Sequence, residues 1–167
     1  MTDVGELFTQ YHASLVRMLY RRTGDQDRAE DIAQETFARA LEAPPHNPRP
    51  WLFAVALNLV REEARTVKRR SRHLELIRAE SPQTTLSPED ELLRSEEKSR
   101  VRRALDRLNE RDREALVLKA EGFNYDEIAA TIGLAKGAIG TTLARARRRL
   151  VEAYRDEEGQ VGQHAAS

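Results

Sequence analysis

The sequence predicts an all-α protein: two small helical domains joined by a flexible linker, the C-terminal one containing a helix-turn-helix. Three observations predict it. Apolar residues recur at three- and four-residue spacing over most of the chain, as they do on one face of a helix. Each periodic stretch is bounded by Asp, Asn, Gly or Pro, residues that start and stop helices. Between His73 and Leu86 the pattern dissolves into Ser81-Pro82-Gln83-Thr84-Thr85, the mark of a connection between two packed units.

Composition narrows the classes. A chain of 167 residues suits one medium domain or two small ones. With 34% charged and 5% aromatic residues, any core is small and mostly aliphatic. The formal net charge of zero conceals segregation, because Arg and Lys gather in two places and acids before and between them. The absence of cysteine excludes disulfides, thiolate metal sites and thiol sensing by this chain. His12, His46, His73 and His164 are scattered without metal-ligand spacing, and no Gly-rich phosphate loop or nucleophile motif occurs. No catalytic residue, metal or cofactor is therefore expected. No apolar run approaches the roughly 18 residues of a membrane span, and Met1 to Leu7 lacks a signal pattern, so a cytoplasmic protein without membrane contact is expected.

In order, Val4 to Arg22 carries Phe8, Tyr11, Leu15 and Met18 at helical spacing and ends at Gly24. Asp25 can cap a second helix whose inner face is Ala29, Ile32, Ala33, Phe37, Ala40 and Leu41, stopped by Pro44-Pro45. After a stiff proline-rich loop to Pro50, a third helix starts about Trp51 and buries Leu52, Val55, Leu59 and Val60. Its tail is basic: Arg61, Arg65, Lys68 and Arg72 share one face, with Arg69 and Arg70 adjacent. Eleven helical steps cover about 16 Å, enough to follow several phosphates spaced about 3.4 Å along one strand. Residues 1–72 thus form the first domain, 73–87 the linker, which can reach up to about 50 Å, and 88–155 the second domain.

The second domain opens with Ser87 as a cap, Pro88 at the first helical position and acids in the first turn. That helix runs through Leu93, Val101, Leu105 and Leu108. Asn109 caps the next, with Leu116 and Leu118, which ends at Gly122. Asn124 and Glu127 then form a capping box for a short helix carrying Ile128, Ala129 and Ile132 and stopped by Gly133. A last helix starts near Ala135, with Ile139, Leu143, Ala146 and Leu150 as its apolar stripe. Its opposite face shows Gly137, Thr141, Arg145 and Arg148, with Arg147 and Arg149 beside them, which suits a helix laid in the major groove of a duplex and flanked by phosphates. The polar, Gly-containing stretch 156–167 is expected to be a frayed, flexible tail.

Four segments carry a resemblance. Asp31-Ile32-Ala33-Gln34-Glu35-Thr36-Phe37, Trp51-Leu52-Phe53-Ala54-Val55-Ala56-Leu57-Asn58-Leu59, Leu108-Asn109-Glu110-Arg111-Asp112-Arg113-Glu114 and Tyr125-Asp126-Glu127-Ile128-Ala129 resemble, in order and spacing, the extracytoplasmic-function (ECF) group of RNA polymerase sigma factors. The resemblance spans all but the linker and tail. It implies a region 2 domain that binds core polymerase and opens the −10 element, and a region 4 domain that grips the −35 element as duplex. It also implies transcription initiation as the function, an anti-sigma factor as a further partner, and a monomer when free of partners.

Carried onto this chain, the resemblance makes Asp31, Gln34, Glu35 and Arg39 polymerase-binding, with Phe37 packed inside. It makes Asn58, Arg61, Glu62, Arg65, Lys68 and Arg69 candidates for the opened −10 strand, where contacts must offset the few kcal/mol of extruding a base. Trp51 fits a core anchor better than a stacking platform. Lys136, Gly137, Gly140, Thr141, Thr142, Arg145 and Arg148 are the −35 candidates. Two departures stand out. Gly140-Thr141-Thr142 lies where family members often carry Lys or Arg, and Ala135 lies where Ser, Thr or Pro is usual. Glycines inside a helix cost up to about 1 kcal/mol each relative to Ala, so a small-residue face is expected to bring the backbone close to DNA, with Thr141 and Thr142 contacting phosphates or thymine methyls. The proline-rich loop 43–50, where the family holds the extruded base, points to unusual −10 selection. The alternative is a stand-alone helix-turn-helix regulator binding duplex DNA as a dimer, but no heptad or exposed apolar stripe supports dimerisation. A third reading, a sigma-like interaction protein that has lost promoter reading, is separated from the first by run-off transcription.

Overall fold

The structure, a computed structural model, describes residues 3–71 and 88–165, with side chains described over 3–66 and 95–160. The linker expected over 73–87, the cap at Ser87, and the side chains of Lys68, Arg69, Arg70, Arg72 and Leu93 lie outside the described residues. Seven helices and no strand occur among the described residues, in two units, 1–83 and 84–167.

In the first unit, α1 (Val4–Thr23), α2 (Gln26–Glu42) and α3 (Pro48–Ser71) pack around one aliphatic core. Asp3 caps α1 by accepting from the Gly5 amide, and Gly24 closes it in the left-handed region at φ 75°. Asp25 caps α2 through the Arg28 amide, as its sequence predicts. Leu15, Met18 and Leu19 of α1, Ala29, Ala33 and Ala40 of α2, and Leu52, Phe53 and Ala56 of α3 are fully buried. Small Ala residues on α2 let its neighbours approach closely. Two expected core residues are instead at the surface: Phe8 is 43% exposed and Leu41 67%. The Phe8 ring still packs on one side, edge-on against Phe37 of α2 at 5.1 Å between centroids, whereas Leu41 lies one residue before the end of its helix. The helix α3 begins at Pro48, three residues before Trp51, because prolines are tolerated in a first turn whose amides have no partner. Trp51 itself is half-buried.

In the second unit, α4 (Pro88–Asp106), α5 (Glu110–Ala120), α6 (Tyr125–Ile132) and α7 (Lys136–Ala165) follow. Asn109 caps α5, and Asn124 and Glu127 form the capping box of α6 with both reciprocal bonds present, at 2.8 and 3.1 Å. Gly133 turns the chain into α7 at φ 71°. Phe123, buried between two turns, anchors the α5–α6 corner together with Leu118, Ile128, Ile139 and Leu143. Residues 156–165, expected as a frayed tail, are helical as the end of α7, and Asp156, Glu157 and Glu158 meet arginines of α4, long-range partners that a local reading of polar residues cannot see.

Candidate nucleic-acid and polymerase interface

On α2, the buried face of Ile32, Ala33, Thr36, Phe37 and Ala40 leaves Asp31, Gln34, Glu35, Ala38 and Arg39 exposed. Spaced at three and four residues, these five form one continuous stripe. The Thr36 hydroxyl donates back to the Ile32 carbonyl at 2.8 Å, which lets a polar residue sit in the core without an unmet hydrogen bond. Arg39 Nε donates to Glu35 at 3.3 Å, an exposed pair that water screens and a partner can break at little cost. The stripe is therefore preformed on a rigid helix while its charges remain available.

On α3, Asn58, Glu62 and Arg65 are exposed and Arg61 is half-buried. Arg61 Nη1 donates to Asn58 Oδ1 at 2.8 Å, so two of the expected −10 residues form one hydrogen-bonded group. The Arg28 guanidinium of α2 pairs with Glu63 of α3 on the adjoining side, fixing the helix that carries that group. The structure thus places Asn58, Arg61, Glu62 and Arg65 along one helix.

The helix-turn-helix is more divided than its sequence suggests. Lys136, Gly137, Thr141 and Arg148 are exposed on α7, with Gly140 half-buried between them. A Cβ at Gly137 would meet nothing within 4 Å, whereas one at Gly140 would lie 3.6 Å from Cε2 of Tyr125. The Tyr125 ring, 42% exposed at the start of α6, lies against the recognition helix at the glycine, with the Lys119 ammonium 5.8 Å from its centroid. Lys136 reaches back to Asp126 at 3.0 Å, tying the starts of α7 and α6 together.

Two expected −35 residues are placed differently. Thr142 is 5% exposed, and its hydroxyl donates to the Ala138 carbonyl at 2.7 Å, so it faces the core and not a duplex. The expectation put it beside Thr141, but consecutive helical residues point about 100° apart, and Thr142 falls on the side of Ile139 and Ala146. Arg145 was expected on a free face. It is bound to the fully buried Asp112 of α5, Nη2 to Oδ1 at 2.8 Å, and Arg149 Nη1 reaches Oδ2 of the same carboxylate at 3.0 Å. The Asp112 amide in turn donates to the Asn109 cap at 2.9 Å. Through its hydrogen bond and its charge, Asp112 raises the pKa of Arg145 further above its ordinary value.

Comparison with known proteins adds the rest. Residues 7–70 match the family Sigma-70 region 2, and residues 98–150 match Sigma-70, region 4. The ECF RNA polymerase sigma factor EcfG of Rhodopseudomonas palustris is 37% identical over 134 residues, which cover 77% of this chain and 72% of that protein. The chain belongs to the ECF RNA polymerase sigma factors. The ECF sigma factor BldN of Streptomyces coelicolor is 32% identical over 163 residues, covering 92% of this sigma factor but only 61% of that longer relative. Among solved structures, the sigma factor RpoE of Bartonella quintana, crystallised with the anti-sigma factor NepR, superposes with a TM-score of 0.66 at 26% identity, over 93% of this chain and 98% of that one.

In this sigma factor the region 2 match ends at residue 70 and so includes both the α2 stripe and the Asn58–Arg61 group, while the region 4 match contains α5, α6 and the exposed part of α7. Sequence reasoning missed two residues that shape the second unit's site. Asp112 was visible only as part of a motif, and its signal is the later pair Arg145 and Arg149, four residues apart and so able to share one acceptor. Tyr125 read simply as a helix start. Among the described residues no helix is long and apolar enough to cross a membrane, and no three His, Asp or Glu side chains converge as a metal site would need.

Proposed function

We propose that this sigma factor binds core RNA polymerase through Asp31, Gln34, Glu35 and Arg39, and directs it to a restricted set of promoters. The single observation that supports the reading is that polar faces of α2 and α3 in the first unit, and of α7 in the second, stay unburied within the family-matched segments. Asn58, Arg61, Glu62 and Arg65 receive the opened −10 strand, continued by Lys68 and Arg69 along the same helix. Lys136, Gly137, Gly140, Thr141 and Arg148 meet the −35 duplex. Arg145 acts differently: held by Asp112, it sets the angle of α7 against α5 and offers only its exposed edge to phosphate.

The mechanism is placement. The second unit holds duplex, the first captures a single strand, and the polymerase supplies the chemistry, so the sigma factor needs no catalytic residue, metal or cofactor of its own. It works in the cytoplasm, as a monomer between partners. The relative solved with an anti-sigma factor supports a partner of that kind, which would compete for these surfaces.

The test is co-elution of the purified chain with core RNA polymerase, set beside an Asp31→Arg, Glu35→Arg double variant, followed by run-off transcription. Co-elution that the variant loses, with promoter-dependent transcripts from the parent, is the expected result. A folded parent that fails to co-elute would overturn the assignment.

A further inference from the structure

The basic residues of α4 have no place in the function above. Arg100, Arg103 and Arg107 recur at three and four residues and so share one face of that helix. Each meets an acid near the end of α7: Arg100 Nη1 to Glu158 at 3.8 Å, Arg103 Nε to Glu157 at 2.9 Å, and Arg107 Nη2 to Asp156 at 3.2 Å. Arg107 also donates to the Ala153 carbonyl at 3.5 Å. Three consecutive acids therefore lie on three arginines.

These contacts contrast with the Asp112 clamp in the same unit. There the acid is wholly buried and shared by two part-exposed guanidinium groups, so the carboxylate has no water to turn to. Here Arg103, Arg107, Asp156 and Glu158 are all about half exposed or more, while Arg100 and Glu157 are the better covered members of the cluster. Exposed pairs of this kind contribute little, weaken with salt and exchange readily for another anion. The helical segment that carries the acids is also a weak one, since Gly159 and Gly162 lower its intrinsic helix propensity. The arm is held by charge and not by packing.

We infer that the Arg100–Arg103–Arg107 face of α4 is a second nucleic-acid surface, one that takes the phosphate backbone without regard to sequence, and that the acidic end of α7 occupies it as a stand-in for phosphate. The three arginines span about 10 Å of helix, the length of about three phosphate steps along one strand. The arm holds this face neutral until a polyanion at high local concentration displaces it. That keeps the free protein from binding arbitrary DNA and adds phosphate contacts once a duplex is already in place. The inference concerns α4 and stands whether or not the −35 residues are assigned correctly.

The experiment uses the full chain and a fluorescent duplex of arbitrary sequence, read by anisotropy across a salt series without polymerase. The arm-neutral variant Asp156→Asn, Glu157→Gln, Glu158→Gln is compared with a charge-matched control, Glu96→Gln, Glu97→Gln, Glu152→Gln. The arm variant should bind several-fold tighter than the control, with log K against log salt steeper by about 0.9 per arginine released. Equal tightening in both would reduce the effect to net charge and overturn the inference. A milder variant, Asp156→Asn, Glu158→Gln, keeps the covered Glu157 and should move affinity in the same direction with the far-UV helical signal intact. No change there in a folded protein would also overturn it. An equal or greater gain for a polyglutamate tracer would refute the assignment to a nucleic-acid backbone.

Discussion

Substituting Gly140 with Ala should make this sigma factor more stable and worse at binding its upstream duplex. Gly140 is the fifth residue of α7, in the helix interior, where exchanging Gly for Ala recovers roughly 0.5–1 kcal/mol of backbone entropy. That gain survives only if the new methyl fits. It does: its position lies 3.6 Å from Cε2 of Tyr125, an ordinary van der Waals distance to a ring that is itself part exposed and able to adjust. The unfolding equilibrium of the second unit should thus shift by about two- to fivefold toward the native state. Hydrogen exchange of the α7 amides reads this unit alone, and their protection should rise by that factor.

The same methyl stands on the side of α7 that carries Gly137, Thr141 and Arg148, the face proposed above to meet the groove. If the backbone there lies close to DNA, overpacking costs about 1–3 kcal/mol, and affinity for a duplex selected from a randomised pool should fall at least about fivefold. Gly137→Ala is the comparison, because a Cβ there meets nothing of the protein within 4 Å and reports on the duplex alone. Protection that falls on Gly140→Ala would refute the packing argument. Protection that rises while affinity holds would refute the idea that the glycine serves DNA, leaving Tyr125 as its reason.

Four further substitutions divide the second unit by role. Thr142→Val should lower stability by about 1 kcal/mol, through loss of the bond to the Ala138 carbonyl, and leave duplex affinity unchanged, whereas Thr141→Val should do the reverse; paired urea melts and binding titrations read both. Asp112→Asn should cost roughly 1–2 kcal/mol, at the low end for a charged acceptor because Arg145 and Arg149 are about half in water, as measured by urea unfolding. Since Asp112 raises the Arg145 pKa, the part of that contribution linked to the proton is complete below the ordinary guanidinium value and lost only as pH climbs through the raised one; a pH series reaching the lysine range should therefore find it intact. Asn124→Ala removes the side-chain half of the α6 capping box, the acceptor for the Glu127 amide, and should cost about 1 kcal/mol, seen as a lower thermal midpoint.

What the sequence made legible was set by range. Caps are local, and Asp25, Asn109, Asn124 and Gly133 all act where the chain places them, because a side chain and an amide three residues away need no third partner. The apolar stripe of α2 was legible for Ala29 through Ala40 and failed at Leu41, since periodicity gives the direction of a side chain but not where the neighbouring helix ends. The end of α7 failed for the opposite reason. Its residues are polar, and the arginines that pair with them lie some fifty positions earlier. Thr142 was misplaced by a single residue, which in a helix is about a quarter turn and separates an exposed hydroxyl from a core-facing one.

The cations of α7 carry a final step. Arg145, Arg147, Arg148 and Arg149 read in sequence as one phosphate-binding cluster, yet two of the four are bound to Asp112 and two are exposed. A cation already paired with a carboxylate releases fewer counterions when it meets phosphate, so the salt slope of duplex binding should reflect the exposed pair more than the whole cluster. The paired ones act on geometry. A buried acid gripping both Arg145 and Arg149, one turn apart, resists rotation of α7 about its own axis, and that rotation decides whether Gly137, Thr141 and Arg148 meet the groove together. The cost of placing Asp112 in the core is thus offset by orientation: Arg145 and Arg149 hold α7 still, and the proposed duplex contacts fall to Gly137, Thr141 and the exposed Arg148.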